Sequence, residues 1–224
     1  MDSPPPRDRN RPGGIVGGRL VFALLMVVLL GWATGRVMQR AAPIGRDLRG
    51  DPAAQAILRG DGAPPREVPG ATLTMVVFTD YLCPACRAAH PAMTAAVAAD
   101  GRVRVVWRDW PIFGPRSERA ARVAIAAARQ GIYPAVHDAL MTGPPPVDDT
   151  VLRRAVEAAG GDWALLTADL RAHDAAITAQ LVRTQADARR LGLPGTPAWL
   201  IGSRLVTGAI DAATFRAAFA EARG

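Results

Sequence analysis

The sequence predicts an α/β domain with a helical insertion, and three observations carry that reading. Residues 72–79 (TLTMVVFT) are β-branched and almost wholly apolar, the pattern of a strand buried on both faces. A helical stretch and a second apolar run, 103–107 (VRVVW), follow after short joints. Strand, helix, strand so connected makes a unit with parallel strands. Two later runs, 198–201 (AWLI) and 204–207 (RLVT), flank Gly202-Ser203 and predict a hairpin.

The elements ahead of this domain read differently. Residues 1–14 are polar and Pro-rich, an expected disordered tail. Residues 20–34 (LVFALLMVVLLGWAT) carry no charge, with Arg19 before them and Arg36 after. A span needs about 17–25 residues, and Ile15 to Gly18 extend the run if Arg19 snorkels to the interface. Residues 15–35 are therefore expected to be a transmembrane anchor. A cleaved secretory signal stays open, because Arg7, Arg9 and Arg11 precede the run and Ala33-Thr34-Gly35 offers small residues for cleavage. Residues 36–70, with Pro43, Pro64, Pro65 and Pro69, read as a tether holding a short helix near 51–59.

The domain is expected to start near Ala71. After the first strand, Asp80-Tyr81-Leu82 is a short connection. A helix runs from Cys83 to about Ala99, with Gly101 just past its end. The insertion, about 115–191, holds several helices. Ser117 is expected to cap a run over 118–129 that Gly131 ends. A helix over 133–141 closes at Gly143. Asp149 starts the next, with Val151, Leu152, Ala155, Val156 and Ala159 on one face. Asp162 and Asp174 are expected caps of two more. The last has a stripe of Leu181, Ala188 and Leu191 and stops at Gly192 and Pro194. Asp211 caps a closing helix over about 211–222.

Composition narrows the function. Half of the 224 residues are hydrophobic, enough for a sizeable core, and the net charge is +7. All 27 basic residues are Arg, spread along the chain, and aromatics are only 5%. That distribution lacks the basic stripe of a nucleic-acid binder, so no nucleic-acid partner is expected.

The only two cysteines form Cys83-Pro84-Ala85-Cys86. At the mouth of a helix their spacing brings both sulfurs to the first turn, close enough to bridge. Unpaired N–H groups and the positive end of the helix dipole favour a thiolate there. Pro84 suits the first turn, where its missing N–H costs nothing. Cys83 is expected to be the exposed nucleophile and Cys86 the more buried, resolving thiol. A structural disulfide and a zinc site through Cys83, Cys86 and His90 remain as alternatives. The first would close too short a loop to stabilise much. The second lacks the usual four ligands, and no metal or other cofactor is expected. His90, His137 and His173 read as helix-surface residues.

The chain resembles a known family at several places. VVFTDYLCPACRAAHPAM (76–93) is similar to the active-site segment of DsbA-like thiol–disulfide oxidoreductases. The likeness continues through RDWPIFGPRSERAARVAIAAARQGIYPAVHDALM (108–141) and LGLPGTPAWLIGSRLVTGAI (191–210). The resemblance implies a thioredoxin-like fold over 71–224 with an inserted helical subdomain. It implies Cys83 as attacking sulfur and Cys86 as resolving sulfur. Pro197 would be a cis proline opposite them, and Thr196 would bind an extended substrate through its backbone. Pro84, Ala85 and Thr196 would tune the redox potential. The chain departs from the family at Val77, where many relatives carry a buried Glu that helps move protons, and Asp80 is the nearest acid.

The resemblance further implies an oxidase acting on exported cysteine-containing proteins and re-oxidised by a DsbB-type membrane quinone reductase. A DsbG-like isomerase or reductase, kept reduced by a DsbD-type membrane donor, is the alternative. So is a chaperone or metallochaperone without turnover. Either enzyme would sit in the inner membrane by a single pass, its domain facing the periplasm or cell exterior.

Overall fold

The computed structural model describes residues 21–32, 44–59, 65–66, 68–146 and 148–224. It divides into two units, Met1–Pro43 and Ile44–Gly224. In the first, residues 21–32 form a helix, α1, with every side chain exposed. The rest of the expected span and the whole expected tail lie outside the described residues. Among those described, no helix is long and apolar enough to cross a membrane.

The second unit is built on a six-stranded sheet in the order β1-β6-β5-β3-β4-β2. Its strands are β1 (Arg46–Asp47), β2 (Pro65–Arg66), β3 (Leu73–Thr79), β4 (Val103–Asp109), β5 (Ala198–Ile201) and β6 (Arg204–Thr207). β3 and β4 are parallel, and every other pair is antiparallel. The helices are α2 (Pro52–Leu58), α3 (Pro84–Asp100), α4 (Pro115–Ala127), α5 (Tyr133–Thr142), α6 (Asp149–Ala158), α7 (Trp163–Ala172), α8 (Asp174–Arg190) and α9 (Ala212–Arg223). The order is that of an α/β thioredoxin-like domain with α4 to α8 inserted between β4 and β5.

The sheet divides its side chains by alternation. Met75, Val77, Val105, Trp107, Trp199 and Ile201 face one cluster, where Met93 of α3 and Phe215 of α9 also lie. Val76, Phe78, Val106, Leu200 and Leu205 face a second cluster, with Ala54 and Ile57 of α2 and Ala188 of α8. Both faces are therefore covered, which is why β3 reads as a continuous apolar run.

Four expectations need correction. Residues 44–59 are not tether but part of the folded unit. β1 pairs with β6, and the amide of Ile44 donates to the Glu221 carboxylate. Asp51 caps α2 by accepting from the amides of Ala53 and Ala54. Leu48, Ala54 and Ile57 are needed to close the second sheet face, so the chain cannot leave them in water. Ser117 caps nothing: α4 starts two residues earlier, after Gly114, with Pro115 in the first turn, and Ser117 is buried inside. Asp174 opens α8 as its first residue, and the cap position is His173. β4 also runs two residues beyond the expected end, because Arg108 and Asp109 stay in register with Phe78 and Thr79.

Candidate active site

The end of β3 and the start of α3 bring the two cysteines to one point. Cys83 is the N-cap of α3, in extended conformation, and its Sγ accepts a hydrogen bond from the Cys86 amide at 3.3 Å. Pro84 fills the first helical turn and is exposed; Ala85 is half-buried. The turn ahead of the helix is fixed by Asp80. Its carbonyl accepts from the Cys83 amide, and its carboxylate accepts from the amides of Leu82 (2.8 Å), Ile112 (2.7 Å) and Phe113 (3.2 Å). One buried carboxylate thus ties the cysteine loop to the loop after β4.

The loop before β5 covers the sulfurs from the other side. The Thr196–Pro197 peptide is cis. The Thr196 carbonyl lies 3.4 Å from Cys83 Sγ, placed to accept from its thiol. The Thr196 hydroxyl is buried beside Cys86. Burial pushes the Cys86 thiol well above its ordinary range, and the Thr196 hydroxyl pulls it partly back. The structure therefore brings together Cys83, Cys86, Thr196 and Pro197, with Pro84 and Ala85 between the sulfurs. Both cysteines are free. Cys83 is not the exposed one expected: each is only 2% exposed, because Thr196 roofs Cys83. At the rim, Ile112 and Phe113 are large apolar side chains left about half exposed, and Ile112 lies over Gly195.

Where α3 packs against α5 is a buried polar cluster that the sequence reading missed. His90 and His137 are buried, not on the surface, and His173 is half-buried at the start of α8. The Tyr81 hydroxyl meets His137 Nδ1 at 2.9 Å. The Tyr133 hydroxyl donates to the Asp109 carboxylate at 3.0 Å, and the Tyr133 ring stacks on His137. His90 Nε2 is 2.8 Å from Asp138, and its ring is 5.4 Å from that of His137. Burial raises Asp109 to about 7, with the Tyr81 and Tyr133 hydroxyls easing it back, and burial lowers His137 to about 3. Arg87, next to Cys86, donates to the carbonyls of Leu140 and Gly143 and so docks α3 on the end of α5. The one signal in the sequence was spacing: Cys86 and His90 are four apart in a helix whose buried face also holds Ala89 and Met93. His90 is turned to Asp138. Among the described residues no group of three His, Cys, Asp or Glu side chains is placed to hold a metal.

Comparison with known proteins agrees with this geometry. A thioredoxin-like oxidoreductase from Silicibacter pomeroyi DSS-3 superposes with a TM-score of 0.70 at 36% identity, over 75% of this chain and 96% of that one. The thiol-disulfide exchange protein alpha-DsbA2 from Wolbachia pipientis shares the fold, with a TM-score of 0.70 at 24% identity over 79% and 99% of the two chains. Among curated proteins, the Na(+)/H(+) antiporter NhaA 1 of Mycolicibacterium gilvum (strain PYR-GCK) is 29% identical over 230 residues. That match takes in 100% of this chain but 35% of the relative, so the chain spans about a third of its length. The model of the DSBA-like thioredoxin domain matches residues 74–220. With that match across both cysteines and the cis-proline loop, the chain belongs to the DsbA-like thioredoxin-domain family of thiol–disulfide oxidoreductases.

Proposed function

We propose that the chain is an envelope thiol–disulfide oxidoreductase working as an oxidase on exported cysteine-containing proteins. The observation that carries this is the seat of Cys83 Sγ. It sits at a helix N-terminus, between the Cys86 amide and the Thr196 carbonyl, beside exposed Ile112 and Phe113. A substrate thiolate attacks Cys83 in the oxidised pair, and the electron pair of the broken S–S bond goes to Cys86. A second substrate thiol then displaces Cys83, leaving a substrate disulfide and a reduced pair. Thr196 and Pro197 hold the extended substrate segment, Ile112 and Phe113 supply apolar contact, and Pro84 and Ala85 help set the potential. A DsbB-type quinone reductase re-oxidises the pair.

Residues 15–35 anchor the chain in the inner membrane, the domain facing the periplasm or cell exterior. The uncharged run and its basic flank support this. So does a likeness, over the whole chain, to part of proteins named as antiporters. The test is oxidation of a reduced model protein by the full chain, with fractionation of cells expressing it. Catalysed disulfide formation and recovery in the membrane fraction are expected; a chain unable to oxidise any reduced dithiol sinks the reading. One observation favours a reductase or isomerase instead: the residue before the cis proline is Thr196. That reading calls for a pair kept reduced in cells by a DsbD-type donor.

A further inference from the structure

A buried thiol that leaves an S–S bond as thiolate and re-forms one later must gain and lose a proton in every cycle. Cys86 is such a thiol, and Val77, on the strand before it, offers no acid. The buried titratable groups around the pair differ in what they can do. Both oxygens of Asp80 are taken by backbone amides. Asp109 is held by Tyr133, and His137 by Tyr81, inside the core. His90 alone among them is bonded to a side chain that reaches water: it is itself 6% exposed, while Asp138 is 59% exposed. His90 also shares the buried face of α3 with Cys86, one turn away. At that spacing β-carbons are about 5–6 Å apart, within reach through one water.

We propose that the His90–Asp138 pair is the proton route between the Cys86 thiol and solvent. This rests on dithiol exchange at Cys83 and Cys86. When the Cys83–Cys86 bond breaks, its electron pair goes to Cys86 Sγ. His90 delivers the proton that makes it a thiol, and solvent restores that proton by way of Asp138. When Cys83 forms a mixed disulfide with an oxidised partner, the proton leaves Cys86 by the same path. Cys86 Sγ then attacks Cys83 Sγ and expels the partner sulfur. The other groups facing His90 are the His137 ring on α5, with the Tyr81 hydroxyl behind it and Asp109 and Tyr133 beyond. On α3 it is Arg87, whose guanidinium is spent on the carbonyls of Leu140 and Gly143.

The test follows the two steps separately in the full chain, using oxidised glutathione as probe. The reduced protein is mixed with it at several pH values, quenched in acid and weighed by mass spectrometry. His90→Asn is expected to accumulate the glutathione adduct on Cys83, with resolution slowed about tenfold or more and its pH profile changed. Asp138→Asn should act in the same direction, less strongly. The rate of adduct formation, measured in a Cys86→Ala background, should not change. Parent-like resolution and pH profile in both variants overturns the proposal, and so does slower resolution with an unchanged profile, the mark of a packing role. If His90→Asn does not fold, the exposed Asp138→Asn decides by the same criteria. A Cys86→Ala chain that never forms the adduct overturns the dithiol reading itself.

Discussion

The two sides of the dithiol are built from different materials. On the Cys83 side, backbone groups do the work: the Cys86 amide, the Thr196 carbonyl, and the three amides gathered by Asp80. On the Cys86 side, ionisable side chains are sealed in the core, with two tyrosines, two histidines and Asp109 in contact. Equal exposure of the two sulfurs therefore does not make them equivalent. Backbone groups fix a position and do not titrate. Buried side chains hold protons whose affinity depends on burial, so this side answers to pH.

The largest effect separates the sulfurs outright. Cys83→Ser should abolish both adduct formation and oxidation of a model protein. Cys86→Ser should leave adduct formation intact and trap it, as mass spectrometry would show; trapping on Cys86 in the Cys83→Ser chain would reverse the assignment. The next effect tests the backbone side. Asp80→Ala leaves three amides without their acceptor, two of them holding the Ile112–Phe113 loop. A loss of at least about 3 kcal/mol is expected in denaturant unfolding, because each orphaned donor costs about 1–3 kcal/mol. A loss under about 1 kcal/mol would mean that the loop is not held this way.

The pH response of the other side comes next. Asp109, raised from 3.8 to about 7, favours the fold when protonated, so its contribution is full below 3.8 and is lost as pH rises to about 7. His137, lowered from 6.5 to about 3, contributes fully above 6.5 and loses it as pH falls toward 3. Between about 4 and 6.5 the two oppose each other. Relative to the parent, Asp109→Asn should gain stability as pH rises through this window, and His137→Gln should gain as pH falls. Each slope can reach about 1.4 kcal/mol per pH unit. Parallel stability curves for parent and variants would show that neither group titrates on folding. The smallest effect is at the seam: Thr196→Val removes the hydroxyl that eases the Cys86 thiol down, so that thiol should titrate still higher, followed by alkylation rate against pH.

Much of the backbone was legible from residue pattern. β3, the β5–β6 hairpin and α9 declare themselves by apolar runs, Gly202-Ser203 and the Asp211 cap. So does the Cys-Pro-Ala-Cys helix start, which combines an N-cap with a first-turn proline. What pattern could not give depends on contacts far along the chain. Residues 44–58 read as part of a tether with one short helix, and only the uncovered second face of the sheet shows why Leu48 and Ile57 are buried. His90 and His137 look like surface residues until α5 is laid on α3. Cys83 looks exposed until the loop carrying Thr196, 113 positions away, is laid over it.

The central claim, that this pair oxidises its substrates, is tested most directly by the equilibrium reduction potential of Cys83–Cys86, titrated against glutathione in the full chain. A value more oxidising than about −200 mV is the predicted result, and one near the roughly −270 mV of thioredoxin would contradict it.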